Sequence, residues 1–308
     1  MSIENIIDKD FSGAVLVKKG EDTIFKKAFG YADLTNCIPN EIYTKFATAS
    51  GGKVFVAVAI LKLIEEGKLT FDDFIGDILD IDLKAIDPKI TVHQLLNHTS
   101  GIPDYFDESV MKEYDELWKD YPNYKIRTSS DIVPLFINKP MMYTRGEKFQ
   151  YNNTGYVVLG LIIEKITGIP FDKYLDEVIF KPCNMLNTGY YELDRLPAKC
   201  ANAYIYDEQR KEFYSNIYSV DVKGTGAGGA FTTVLDIENF WNNILNGKLI
   251  SKEMAMKMLA PQVEEQCYGY GIWLKKNEKD KLIPYFQGCD PGVSFFTSFD
   301  MEKKHVLY

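Results

Sequence analysis

Ser50 and Lys53 stand three residues apart in Ala49-Ser-Gly-Gly-Lys53, directly before an apolar run that reaches Glu66. Residues three apart on a helix share a face, so the hydroxyl and the amine can touch. A desolvated lysine loses its proton near neutral pH and can activate a serine as a nucleophile. A serine at a helix start also offers backbone N–H groups and the positive end of the helix dipole to an oxyanion. The plainer use of such a serine is a helix cap, and most lysines extend to solvent. Gly51 and Gly52 favour chemistry: they weaken a helix start yet leave room for a substrate against the backbone. The reaction implied is acyl transfer through a serine.

A second Ser-x-x-Lys, Ser109 to Lys112, lies in a polar stretch with no apolar helix behind it and reads as surface. Tyr-x-Asn occurs at Tyr121, Tyr151 and Tyr214, which a chain with 20 tyrosines supplies by chance. Context selects Tyr151-Asn-Asn153, a short loop feeding a helical pattern, so that both side chains can face one cleft. Tyr121-Pro-Asn123 reads as a turn and Tyr214-Ser-Asn216 as a strand end.

The elements that would position these groups follow from periodicity. Gly13–Val17 and Thr23–Phe25 flank a Gly-containing turn, a β-hairpin. The helix from Lys53 has apolar residues at 54, 55, 58, 60, 61 and 64, a broad surface that belongs in the interior. Residues 70 to 200 are mainly helical in pattern. Helices are expected from Thr91 to Asn97, from Ser129 or Ser130 to near Asn138, from Asn153 or Thr154 to Gly168, and from Pro170 to a point before Pro182. The aromatic, polar stretch 104–127 suggests a surface lobe or lid. The last third returns to strands at 201–206, 212–214, 268–274, 282–285, 293–299 and 305–308, interrupted by helices at 234–246 and 252–259. This predicts an α/β protein of the α+β type: an antiparallel sheet built from both chain ends, flanked by helices, with a mostly helical insertion. One domain is expected over 1–308, its sheet region at 11–50 and 201–308 and its helical region at 51–200.

Composition sets limits. The chain has 308 residues, 46% of them hydrophobic and 26% charged, as in globular proteins. Its net charge of −9 argues against nucleic acid as a partner. No apolar run spans a bilayer; the longest is 157–163. The N-terminus, Met1-Ser-Ile-Glu-Asn, has no secretory features, which points to the cytoplasm unless a leader has been removed. Cys37, Cys183, Cys200, Cys267 and Cys289 are odd in number and widely spaced, and the three histidines do not join them. Neither a disulfide framework nor a metal site is expected, and no cofactor. Reduced thiols suit a reducing compartment. His93 reads as an ordinary helix residue, His98 as a loop organiser, and Cys289 as a small buried residue.

Together, several stretches resemble the serine β-lactamase-like and penicillin-binding protein family, in the branch of class C β-lactamases, D,D-carboxypeptidases and related esterases. They are Ala49-Ser-Gly-Gly-Lys53 through Glu66-Gly-Lys-Leu-Thr70, Leu95-Leu-Asn-His-Thr-Ser-Gly-Ile-Pro103, Gly146 through Gly160, and Gly226-Ala-Gly-Gly-Ala-Phe-Thr-Thr233. The likeness runs over roughly residues 11 to 300 and implies a β-lactamase/transpeptidase-like fold. It implies that Ser50 forms an acyl-enzyme, that Lys53 and Tyr151 act as a coupled base with Tyr151 near its phenolate, and that Asn153 binds the substrate amide. The oxyanion hole would be the N–H groups of Ser50 and Cys289. The third family motif, Lys-Thr-Gly or His-x-Gly, falls on Phe286-Gln-Gly288, followed by Pro291-Gly292. Phe286, Gln287 and Gly288 are thus assigned to substrate binding, with Phe286 where the family has a cation or imidazole. That exchange removes a site for a substrate carboxylate and favours a neutral ester or amide. The family also closes with a further strand and a long helix, whereas this chain ends at Lys304-His-Val-Leu-Tyr308. A sheet face left uncovered would favour a homodimer.

The leading reading is a serine hydrolase acting on an amide, β-lactam or ester of a small molecule or short peptide. The alternative is a catalytically weakened or non-catalytic ligand-binding relative, motivated by Phe286 and the chain end. A metal hydrolase is set aside, because His93, His98 and His305 are scattered.

Overall fold

The computed structural model describes residues 3–301 and 305–307. Residues 302–304 and Tyr308, on which part of the expected last strand falls, lie outside the described residues, as do Met1 and Ser2.

A six-stranded antiparallel sheet is built from the two chain ends. Its order is Asp22–Phe29, Gly13–Lys19, His305–Leu307, Val293–Asp300, Leu282–Asp290, Trp273–Lys276. The final strand thus lies between the N-terminal hairpin and the C-terminal meander, Val17 pairing with Leu307 and Leu307 with Ser298. The Asp290-Pro-Gly-Val293 reversal places a proline second and Gly292 third with φ +75°, the arrangement of a type II turn.

One sheet face is packed. Leu16, Phe286 and Thr297 are buried there against the Val234–Leu245 helix, and the Trp241 indole donates to Thr297 Oγ1 at 2.9 Å. Lys18 pairs with Glu238 of the same helix. The other face carries a row of half-buried aromatics, Trp273 stacked on Tyr285 and Tyr285 beside Phe296.

The Lys53–Glu65 helix is the centre of the molecule. Every residue from Val54 to Leu61 is completely buried, which its near-continuous apolar sequence allows on all sides. The Asn153–Thr167 helix packs beside it, capped by the Asn152 side chain at its start and by Gly168 at φ +70° at its end.

Three expectations shift. Residues 129–135 form a 3₁₀ helix rather than an α-helix, because Pro134 sits inside it. The expected strand 268–274 begins only at Trp273. Tyr268 and Tyr270 are instead buried phenols in a turn with Gly271 at φ +69°. The helix expected from Pro170 to a point before Pro182 runs as a turn of α-helix, Phe171–Leu175, continued by a π-helical turn, Asp176–Phe180. No single helix among the described residues is long and apolar enough to cross a membrane.

Candidate active site

Ser50 lies in a tight turn, Ala49–Gly52, that runs directly into the Lys53–Glu65 helix. The turn is held from both sides. Thr48 N donates to Ala230 O at 2.7 Å, and Gly229 N donates to Ala49 O at 3.0 Å. Ala49 adopts φ +47°, a left-handed conformation unfavourable for a residue with a Cβ, immediately before the serine. Glycines let neighbouring backbone close in. A Cβ on Gly288 would lie 2.2 Å from Thr48 O and 2.6 Å from Ser50 N, and one on Gly228 would lie 2.4 Å from Ala49 O. The Leu282–Asp290 strand and the 224–230 loop therefore grip the serine turn between them.

Lys53 is 2% exposed and its amine makes three hydrogen bonds: to Ser50 Oγ (3.0 Å), Asn153 Oδ1 (2.8 Å) and Ala227 O (2.5 Å). Burial pushes its pKa down to about 8, opposed in part by the negative charges of Glu108 and Asp104. The two carbonyl partners can only accept. When the ammonium loses one proton, the remaining two N–H donors stay on them and the lone pair is left for the Ser50 hydroxyl proton.

Tyr151 lies beside the Lys53 amine in the same site. Its ring lies 4.5 Å from the His98 ring and stacks on Trp273 at 6.0 Å, and the Lys53 amine is 4.9 Å from its centroid. Burial drives the phenol far above its usual range, an effect larger than the contribution from Ser50 that opposes it. That shift disfavours the phenolate expected for Tyr151, whereas Lys53 is the group whose pKa is brought toward neutrality.

Asn153 begins its helix with Oδ1 on Lys53 and Nδ2 donating to Phe106 O and to Glu108 Oε1, both at 3.2 Å. Asp104 fixes it there. Its carboxylate accepts from Asn153 N (2.8 Å), Thr154 N (3.0 Å) and Thr154 Oγ1 (3.1 Å). Burial raises Asp104 to about 6, these hydrogen bonds acting the other way. His98 does organise its loop: Asn152 N donates to its Nδ1 at 3.1 Å, which leaves Nε2 to carry the proton toward Tyr268 Oη at 3.0 Å.

Of the sequence-assigned residues, the fold brings Ser50, Lys53, Tyr151 and Asn153 together, with Gly288 against the serine turn. Ser50 and Cys289 border one cavity of about 530 Å³. Phe286 is a correction. It is 2% exposed and packs in the core against Phe55, Phe240, Trp241 and Phe295, so it cannot contact a substrate. Gln287 is exposed on the opposite face of its strand, one pleat repeat before Cys289. Cys289 is exposed rather than buried. Stretch 104–127 walls the cavity through Tyr105, Phe106, Glu108, Met111 and Tyr114. Asp221 and Asp290 were missed by the sequence reading. They line the same cavity and have no recognisable local motif.

Known proteins resemble this chain in sequence and in fold. The family model described as Beta-lactamase matches residues 4–307. The chain belongs to the beta-lactamase family. This beta-lactamase family protein is 30% identical over 319 residues to a penicillin-binding protein of Bacillus subtilis (strain 168), covering 97% of this chain and 67% of that one. Its structure resembles that of a penicillin binding protein from Bacillus halodurans with a TM-score of 0.91 and 39% identity, over 96% of this chain and 90% of the other. It also resembles an octameric penicillin-binding protein homologue from Pyrococcus abyssi, with a TM-score of 0.81 and 27% identity, over 96% and 68% of the two chains. The fold is that of β-lactamases and transpeptidases, as expected.

Proposed function

We propose that this chain is a serine hydrolase, a single β-lactamase-like unit that opens an amide or ester carbonyl of a small molecule or short peptide through an acyl-enzyme on Ser50. The observation that carries the reading is the hydrogen-bond set of Lys53, which presents a lone pair to Ser50 Oγ once one proton is lost. Lys53, as neutral amine, takes the Ser50 proton while Oγ bonds to the carbonyl carbon. The oxyanion forms against the N–H groups of Ser50 and Cys289. As the carbonyl re-forms, the bond to the leaving nitrogen or oxygen breaks. That atom receives a proton from the Tyr151 hydroxyl, which is resupplied by the Lys53 ammonium. Water then repeats the attack on the acyl-serine, its proton returns through the same groups, and the acid and Ser50 are released.

The buried Phe286 supports a substrate without a carboxylate at the third motif, because no cation stands there to receive one. A weakened, ligand-binding relative is the second reading. It is favoured by Asn153, whose amide nitrogen is already engaged by Glu108 and must be freed for substrate. Intact-mass analysis after treatment with a fluorophosphonate, p-nitrophenyl acetate or a penicillin decides between them. An adduct on Ser50 that is absent in Ser50→Ala supports the hydrolase. Reversible binding of a ligand with no adduct from any reagent supports the second reading.

A further inference from the structure

The six-stranded sheet opens into a slot at its middle. The His305–Leu307 strand is held on both edges, Leu307 facing Val17 on one side and Ser298 on the other. Among the described residues this strand pairs only with residues 17–19 and 298–300. Its two neighbours run on past it through residues 13–15 and 293–296, each still paired on its far edge, to Asp22–Phe29 and to Leu282–Asp290. Strands that share one middle neighbour lie about 9 to 10 Å apart, twice the ladder spacing. Among the described residues, no backbone hydrogen bond enters this interval from a turn or loop. It belongs to a chamber of about 1130 Å³ that Gly13, Ala14, Val15, Ser294, Phe295 and Phe296 border.

An antiparallel strand turns its N–H and C=O groups alternately to its two edges. Residues 13–15 and 293–296 therefore direct part of their backbone polar groups into the slot. Two facing edges of this kind specify an extended backbone, the occupant taken up in strand addition. The ladder also fixes register. Because Leu307 faces Val17 and Ser298, the same alignment sets Val15 opposite Phe296 and Gly13 opposite Ser294 on the outer face. Ala14 and Phe295 stand opposite each other on the inner face, where Val234 and Ile237 of the packed helix also line the chamber. Every described strand of this chain already has a place in a sheet, so the occupant comes from another polypeptide. We propose that the slot between residues 13–15 and 293–296 binds an extended segment of a partner protein as an added strand, in line with His305–Leu307 and antiparallel to both walls. Its inward residue is aliphatic, because it meets Ala14, Phe295, Val234 and Ile237. Its outward residues are β-branched, to pack beside the half-buried Val15 and Phe296. Proline is excluded, because a strand with two neighbours uses each of its N–H groups. The slot is separate from the Ser50 cavity but close to the serine turn: a Cβ on Gly51 would lie 2.6 Å from the Phe295 ring.

The probe is the peptide acetyl-Thr-Val-Thr-Val-Thr-Gly-Lys-amide, labelled with fluorescein on its lysine and titrated with the full chain by fluorescence anisotropy. Saturable one-to-one binding with a Kd below about 1 mM is expected. An N-methyl group on the central threonine leaves every side chain in place and removes one backbone donor, and it should weaken binding at least tenfold. A second measurement locates the site. With a cysteine as its central residue, the peptide should form a disulfide with the thiol introduced by Ser294→Cys, in preference to Cys37 and Cys289, the native cysteines that are exposed. Equal binding of the methylated and unmethylated peptides overturns the proposal, as does no binding at all; both are read on the wild type, whatever the variant does to folding. Capture through Cys37 or Cys289 instead overturns it too. A dimer in sedimentation velocity that the peptide cannot dissociate gives the slot to a second copy and overturns the assignment to a partner. None of these readouts requires Ser50 to react, so the slot and the hydrolase reading fail separately.

Discussion

The amine of Lys53 stands 3.0 Å from the Oγ of Ser50, one helical turn earlier, while its other two donors rest on Asn153 Oδ1 and Ala227 O. The spacing that makes this contact also places the amine among buried side chains, so the geometry of proton transfer and the lowered pKa share one origin. A lysine displaced to the rim of the helix would keep its proton and be of no use to the serine.

A pH dependence follows with a definite sign. Burial holds Lys53 at about 8, and only the neutral amine accepts a proton. The rate of Ser50 acylation by p-nitrophenyl acetate should rise about tenfold per pH unit below this value and level off above it. Asp290 ionises in the same interval, so the uncharged ester is the suitable probe. A stopped-flow profile that is flat from pH 6 to pH 9, or one that falls, would remove Lys53 as the base.

Tyr151→Phe keeps the ring between His98 and Trp273 and removes only the hydroxyl. Acylation should slow by about 10² to 10³, within the usual range for general acid–base groups. Thermal melting should change little. If turnover of an amide and of an activated ester is lost equally, leaving-group protonation is not its role; a greater loss on the amide is expected.

Gly288→Ala tests the contact between strand and serine turn. The added methyl would sit 2.2 Å from Thr48 O, and the obstacle is backbone. Stability should drop by about 2–4 kcal/mol in denaturant titration, with loss of Ser50 labelling even in the folded fraction. Full labelling at wild-type stability would show that the turn can retreat.

Phe286→His introduces the imidazole that the family resemblance leads one to expect at the third motif, yet here it should not restore anything. The side chain would enter a pocket formed by Phe55, Phe240, Trp241 and Phe295, with no polar partner prepared. We expect a cost of about 2–4 kcal/mol and no gain in esterase rate. A faster enzyme of unchanged melting temperature would mean that residue 286 faces the cleft.

The short-range parts of this site were legible in the sequence because they depend on helical spacing and loop context. Ser50 and Lys53 meet through one turn of helix, and Tyr151 and Asn153 through one loop. Asp104, Asp221 and Asp290 were not legible. Each reaches the site only through tertiary packing, and an aspartate in a loop is locally indistinguishable from a solvated one. Phe286 was placed wrongly because the motif supplies an alignment and not an environment, and its aromatic neighbours come from three separate segments. The strand start at Tyr268 failed for a related reason: Tyr268 and Tyr270 have strand-like composition, but their hydroxyls are engaged by His98 and His93 in a turn. In contrast, the sheet of two chain ends was readable, since alternation and Gly-containing turns are local.

The Ser50 turn is wedged between two stretches that tolerate no side chain facing it, one at Gly228 and one at Gly288. Its position is therefore inherited from the assembled scaffold and does not wait for a ligand to arrive. Diversification of what the pocket accepts has little freedom there. It has to come from the 104–127 segment, where exchanges alter what the cavity accepts without touching the attacking atom.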